Sequence, residues 1–201
     1  MALQKNLNDI CKMAQVKLLI TDFDGTLVDT FKANFLAYQK AFDKYGLRLT
    51  EQQYRECFGF RFDDFMNHMG IKDDETKQFI RMAKGEFYPL YFDKLVVNHS
   101  LLNLLKTFKQ SGGLTAVAST ARKENLMNAL NFIDAADAFT LILAGEDVKH
   151  GKPNPEIYNT VLERLNILPA EAMVFEDSSV GIEAAKQSGI NFVIVNSCFF
   201  S

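Results

Sequence analysis

The chain has 201 residues, 48% of them hydrophobic, with a formal net charge of -3 and three cysteines. That is enough to bury a sizeable core and build one domain plus a small insertion, and the interspersed charge gives no electrostatic case for nucleic acid or an anionic membrane. No apolar run approaches the ~18 residues of a transmembrane helix, and Cys11, Cys57 and Cys198, odd in number and widely spaced, suit free thiols in a reducing cytoplasm.

In chain order, Leu3, Leu7, Ile10 and Ala14 recur near helical spacing and predict an amphipathic helix over residues 2–14, with no signal-peptide core. Residues 16–21 form an apolar strand that runs straight into Asp22-Phe23-Asp24-Gly25-Thr26. Period-2 geometry puts Asp22 and Asp24 on one side of an extended chain, and Gly25 permits the turn that must follow. Clustered carboxylates at a strand end are costly unless a hard cation or a reacting proton uses them.

The next strand candidate opens only at Leu114, much too far away for a single crossover helix. The interval carries aromatic stripes at helical spacing: Phe31, Phe35, Tyr38 and Phe42, then Phe58, Phe62, Phe65, Met66 and Met69, then Phe79, Met82, Phe87 and Leu90. Such stripes read as core packing, so the interval predicts a small helical domain over residues 30–92. Further strands are predicted at 114–118, 140–144, 173–175 and 192–195, with helical stretches between them as parallel winding requires. The expected fold is α/β, a Rossmann-like parallel sheet with helices on both faces. It is built from residues 1–29 and 93–201, with the small helical domain inserted after the first strand.

Three of the later segments repeat the pattern of functional groups at a strand end. Residues 114–118 lead to Ser119 and Thr120, hydroxyls placed either to cap a helix or to share a phosphate oxygen with backbone N–H groups. In His150-Gly151-Lys152-Pro153-Asn154-Pro155 two prolines stiffen the chain around Lys152. Met173-Val174-Phe175 ends in Glu176 and Asp177, and Ser178 and Ser179 are placed to cap the helix that follows.

These four segments, in this order, resemble the haloacid dehalogenase-like hydrolase superfamily, in the subgroup with an inserted helical cap that includes phosphoglycolate-phosphatase-like and β-phosphoglucomutase-like members. The resemblance covers nearly the whole chain after residue 15. It implies a phosphatase acting on a small phosphorylated metabolite, cytoplasmic, and a monomer or weak dimer. Asp22 would be the nucleophile, since a carboxylate that takes the phosphoryl group splits one hard step into two. Asp24 would protonate the leaving oxygen and then deprotonate water. Asp22, the backbone carbonyl of Asp24 and Asp177 would hold Mg²⁺, which favours oxygen ligands. Lys152 would neutralise the nucleophile and the transferring group, and Ser119 and Thr120 would bind phosphate. Glu176 would orient Lys152 or the metal's water shell, or simply begin a turn.

The cap would supply the leaving-group pocket, with Arg61, and less directly Lys84, as its polar contacts. A true dehalogenase has no need of the second acid, which Asp24 supplies. A mutase of this subgroup carries a cap histidine where the present register puts Asn34, which favours a hydrolase. The remaining alternative is a catalytically silent member that binds phosphometabolites. Two departures stand out: Asn98-His99 replaces a frequent Pro-Gly at the cap's return linker, and the sequence ends on Cys198-Phe199-Phe200-Ser201 soon after its last strand.

Overall fold

The computed structural model describes residues 16–196 and 200. The helix predicted over residues 2–14, Cys11, Cys198 and most of the apolar end lie outside the described residues. Five parallel strands form the core: β1 (Leu18–Thr21), β4 (Leu114–Ala118), β5 (Leu141–Leu143), β6 (Ala172–Glu176) and β7 (Asn191–Ile194). Their spatial order is β5-β4-β1-β6-β7. β1 lies at the centre, with Leu18 opposite both Leu114 and Ala172. Its unbroken apolar run is what a parallel strand covered on both faces requires.

Alternation along β1 divides the core into two layers. Leu18 and Ile20 join Ala116, Val174, Ile157 and Ala184 on one face, beneath α7 (Glu156–Leu165) and α8 (Ser179–Gln187). Leu19 faces the other way, toward Leu101, Leu105, Leu126 and Leu130 of α5 (His99–Gln110) and α6 (Lys123–Phe132). After β1 the chain winds outward through β4 and β5, then crosses back to β6 on the opposite side. The carboxyl ends of β1, β4 and β6 therefore flank the switch point, where sheets of this kind bind ligands.

The helical cap follows β1. It consists of α1 (Phe31–Lys44), α2 (Glu51–Cys57), α3 (Phe62–His68) and α4 (Asp74–Phe87), closed by a 3₁₀ segment at Tyr88–Lys94. Thr50 and Gln53 cap α2 reciprocally, and Asp73 caps α4. Phe35, Phe42, Tyr54, Phe65, Met66 and Ile80 give the cap an apolar centre of its own, as the stripes predict. The stripes are not wholly buried, however. Met82 and Leu90 face solvent, while Tyr38, Phe58 and Phe62 line a cavity on the side that faces the sheet. Helical spacing marks an apolar face without saying whether protein or a ligand covers it.

The two linkers pair as a short antiparallel ribbon, β2 (Val28–Asp29) against β3 (Val96–Val97). Asn98 anchors it: its N–H donates to the Leu27 carbonyl at 2.9 Å and its side-chain amide to that of Thr26 at 3.3 Å. Its Oδ1 meanwhile accepts from Leu101 N at 3.0 Å, capping α5.

Candidate active site

β1, β4, the loop before α7, and β6 each deliver one element of the predicted constellation. Asp22 leaves β1 and is buried; its Oδ1 lies 2.6 Å from the Lys152 ammonium, which also donates to Glu176 Oε1 at 2.6 Å. The Lys152 side chain is 3% exposed and that of Glu176 0%, so this pair of contacts is sealed from solvent. The Tyr158 hydroxyl adds a hydrogen bond to Glu176 Oε1 at 3.2 Å, and Lys152 Nζ stands 5.1 Å from the Tyr158 ring centre. Glu176 Oε2 accepts from the backbone N–H of Asp177 and Ser178 and from Ser178 Oγ, at 2.9, 3.0 and 3.0 Å. Glu176 is thereby fully engaged in holding Lys152 and the start of α8, where Ser178 is the N-cap.

Asp177 is half-buried, with Oδ1 accepting from Thr26 Oγ1 at 2.8 Å. Gly25 supplies both the turn and the room beside it. Its φ is +89°, and a Cβ there would overlap the Asp177 carboxylate. Asp24 Oδ1 accepts from Thr30 Oγ1, and from Asn34 Nδ2 at 3.2 Å; Oδ2 faces Ser119 Oγ at 3.5 Å. Ser119 Oγ also accepts from Ala121 N at 3.0 Å. Neither Ser119 nor Thr120 caps the following helix, because α6 starts only at Lys123, with Arg122 in the cap position. Thr120 is exposed and faces the cavity.

The electrostatics show a deficit of positive charge. Burial pushes the Asp22 carboxyl well above the usual range; Lys152 opposes this, and Glu176, Asp177 and Asp24 add to it. Burial, with Glu176 nearby, raises Asp177 to about 6 despite the Thr26 hydrogen bond. Burial works against the Lys152 ammonium too, but Asp22, Tyr158 and Glu176 outweigh it and hold lysine charged. Oxygens of Asp22, Glu176 and Asp177 lie within 4.8 Å of one another. Asp22 Oδ2 and Asp177 Oδ2 accept no hydrogen bond among the described residues, which leaves those two carboxylates for a hard cation. The donor set thus fits a divalent ion held by Asp22 and Asp177, with Glu176 outside the ligand shell.

Above this floor, between sheet and cap, lies a cavity of about 330 Å³ that Asp24 and Thr120 line from below. Arg61 and Lys84 reach it from the cap. Lys84 is buried, 3.7 Å from the Tyr88 ring centre and 5.4 Å from that of Tyr38. Burial lowers its pKa to about 7, against the pull of Asp24. The sequence reading did not single out Thr26, Thr30, Tyr158 or Arg122. Thr26 and Thr30 did carry a signal, as hydroxyls within the turn after Asp22 and Asp24. Tyr158 carried none, being one apolar position on a helix.

Fold and site are those of a capped α/β hydrolase. The sequence matches the model of the haloacid dehalogenase-like hydrolases over residues 19–195, and the chain belongs to that family. It is 34% identical over 179 residues to a phosphorylated carbohydrates phosphatase of Thermotoga maritima, covering 87% of this chain and 82% of the relative. A validoxylamine A 7'-phosphate phosphatase of Streptomyces hygroscopicus is 28% identical, with 87% and 83% covered. Among solved structures, CbbY of Rhodobacter sphaeroides in complex with phosphate superposes with a TM-score of 0.82 at 24% identity, over 92% of this chain and 88% of that one.

Proposed function

We propose that this chain is a divalent-metal-dependent phosphatase that hydrolyses a small phosphorylated carbohydrate through an aspartyl-phosphate on Asp22. The observation that carries the reading is the buried line Asp22–Lys152–Glu176 beside a second aspartate, Asp24, oriented by Thr30, Asn34 and Ser119. The substrate class of the Thermotoga maritima relative supports the carbohydrate part.

In this reading an Asp22 carboxylate oxygen attacks phosphorus, the bond from phosphorus to the leaving oxygen breaks, and Asp24 supplies that oxygen with a proton. Asp24 then takes a proton from water, whose oxygen attacks phosphorus, and the bond to Asp22 breaks to release phosphate. Lys152 and the hydroxyl of Ser119 hold the charge that spreads over the phosphoryl oxygens. Mg²⁺, held by Asp22, Asp177 and the Asp24 carbonyl, would add Lewis-acid stabilisation to the same charge. Residues 30–92 would act as the cap, moving on the β2–β3 ribbon to exclude water. The reading keeps a monomer or weak dimer, and the buried thiol of Cys57 suits a reducing cytoplasm.

A mutase reading must protect the aspartyl-phosphate from water. Asn34, whose amide donates to Asp24, does not ionise near neutral pH and so offers no acid or base where a mutase has its histidine, which favours hydrolysis. The test is phosphate release from p-nitrophenyl phosphate and a panel of sugar phosphates. EDTA should silence it, Mg²⁺ restore it and excess Ca²⁺ inhibit it, since calcium's longer bonds disturb the in-line geometry. Full activity in EDTA would contradict the metal, and no phosphate release from any substrate would contradict the enzyme.

A further inference from the structure

Arg61 of the cap and Gly151 of the core meet across the cleft. Gly59, at φ +90°, turns the chain ahead of Arg61, which stands extended at the start of α3. From there its side chain reaches the loop that carries Lys152. A Cβ on Gly151 would overlap the Nε, Cζ and Nη2 atoms of the guanidinium. Gly151 is not at positive φ, so its backbone would accept alanine. What glycine provides here is space rather than conformation.

Arg61 is exposed, and its charge is unpaired among the described residues. Two other arginines at the cavity are paired, Arg81 with Asp63 at 3.2 Å and Arg122 with Glu146 at 3.5 Å. Arg61 has no carboxylate within salt-bridge distance among the described residues. An unpaired guanidinium, packed next to the residue that precedes Lys152 and lining the cavity, is placed to meet an anionic or polyhydroxy leaving group.

We propose that Gly151 is a specificity-determining position: its bare Cα is the seat that holds the Arg61 guanidinium at the cavity, so that the cap grips the leaving group only when lowered onto the core. The inference rests on the phosphatase reading of the site. It differs from an ordinary loop glycine in its consequence. The three atoms nearest a methyl group at 151 all belong to the far end of a flexible side chain, so it displaces Arg61 at little cost to the fold.

The experiment compares the wild type, Gly151→Ala, Arg61→Ala and the double variant on fructose 1,6-bisphosphate and p-nitrophenyl phosphate. Each single variant should lose about ten- to a hundredfold in kcat/KM on the bisphosphate, the worth of a hydrogen bond to a charged group. The loss should be smaller on p-nitrophenyl phosphate, whose leaving group carries no second phosphate. The double variant should lose no more than either single one, because both act on one group. Multiplying losses, or a Gly151→Ala enzyme equal to the wild type, would overturn the proposal. A second readout needs no turnover: the Arg61 Nε–H resonance, identified by its loss in Arg61→Ala, should shift in Gly151→Ala at an unchanged unfolding midpoint. An unmoved resonance would overturn the seat, whereas a wild type that hydrolyses nothing would defeat the phosphatase reading and leave this measurement standing.

Discussion

At the scale of single residues the site is built from groups that stability alone would not select. Lys84 is 7% exposed, and no carboxylate among the described residues lies within salt-bridge distance of it. Burial outweighs the attraction of Asp24 and depresses its pKa to about 7. Between about pH 7 and the ordinary lysine value near ~10.4 the unfolded chain binds more protons than the folded one, so the wild type gains stability as pH rises through that window. Lys84→Met removes the burden while keeping the volume. It should stabilise the protein by about 2–4 kcal/mol at neutral pH, with the aromatic contacts of the ammonium allowed for. The gap should be widest below about pH 7 and close toward the ordinary lysine range. Thermal unfolding across that range checks it; a destabilised variant would mean that Tyr38 and Tyr88 repay the burial in full. Activity on sugar phosphates should fall in the same variant, as expected of a strained functional group.

At the scale of elements, the legible parts were those governed by a local rule. The strands at residues 114–118 and 173–175 are found at Leu114–Ala118 and Ala172–Glu176, because a parallel strand covered on both faces must read as a continuous apolar run. The start of α6 was not legible: Ser119 and Thr120 have capping side chains, yet Ser119 turns to Asp24 and Ala121 instead. Tertiary partners decided between two local options. The Asn98 substitution was visible, but its effect was not. It gives the ribbon two hydrogen bonds that proline could not make, and caps α5 with a third. Asn98→Ala should therefore cost about 1–2 kcal/mol through the lost cap. It should also speed amide exchange at Leu27 and Val28 more than in the sheet. Uniform exchange across hinge and sheet would show that Asn98 serves only α5.

At the scale of the whole molecule, the four motifs are far apart in sequence and meet only because the strand order reverses at β1. Asp22 and Lys152 are 130 positions apart and 2.6 Å apart in space. The order of the motifs was readable, and so was the membership of Asp22, Asp24, Lys152, Glu176 and Asp177 in one cluster. The resemblance put Asp177 at the metal and left Glu176 between Lys152, the metal's water shell and a simple turn. What the sequence could not show is that Glu176 Oε1 meets Lys152 at 2.6 Å while its Oε2 takes three further donors. The cap's contribution was the least legible part, since pocket walls and core walls use the same aromatic spacing.

The role proposed for Asp22, that of nucleophile, is the one on which this arrangement converges. It is tested most directly by the kcat of Asp22→Asn on p-nitrophenyl phosphate with Mg²⁺ present, beside its unfolding midpoint. Amide for carboxylate nearly conserves volume, and Lys152 keeps Glu176 as a partner, so the fold should survive. The expected result is a loss of kcat greater than about a hundredfold, or more than ~2.7 kcal/mol of transition-state stabilisation. A folded variant that retained more than about one hundredth of the wild-type rate would contradict it.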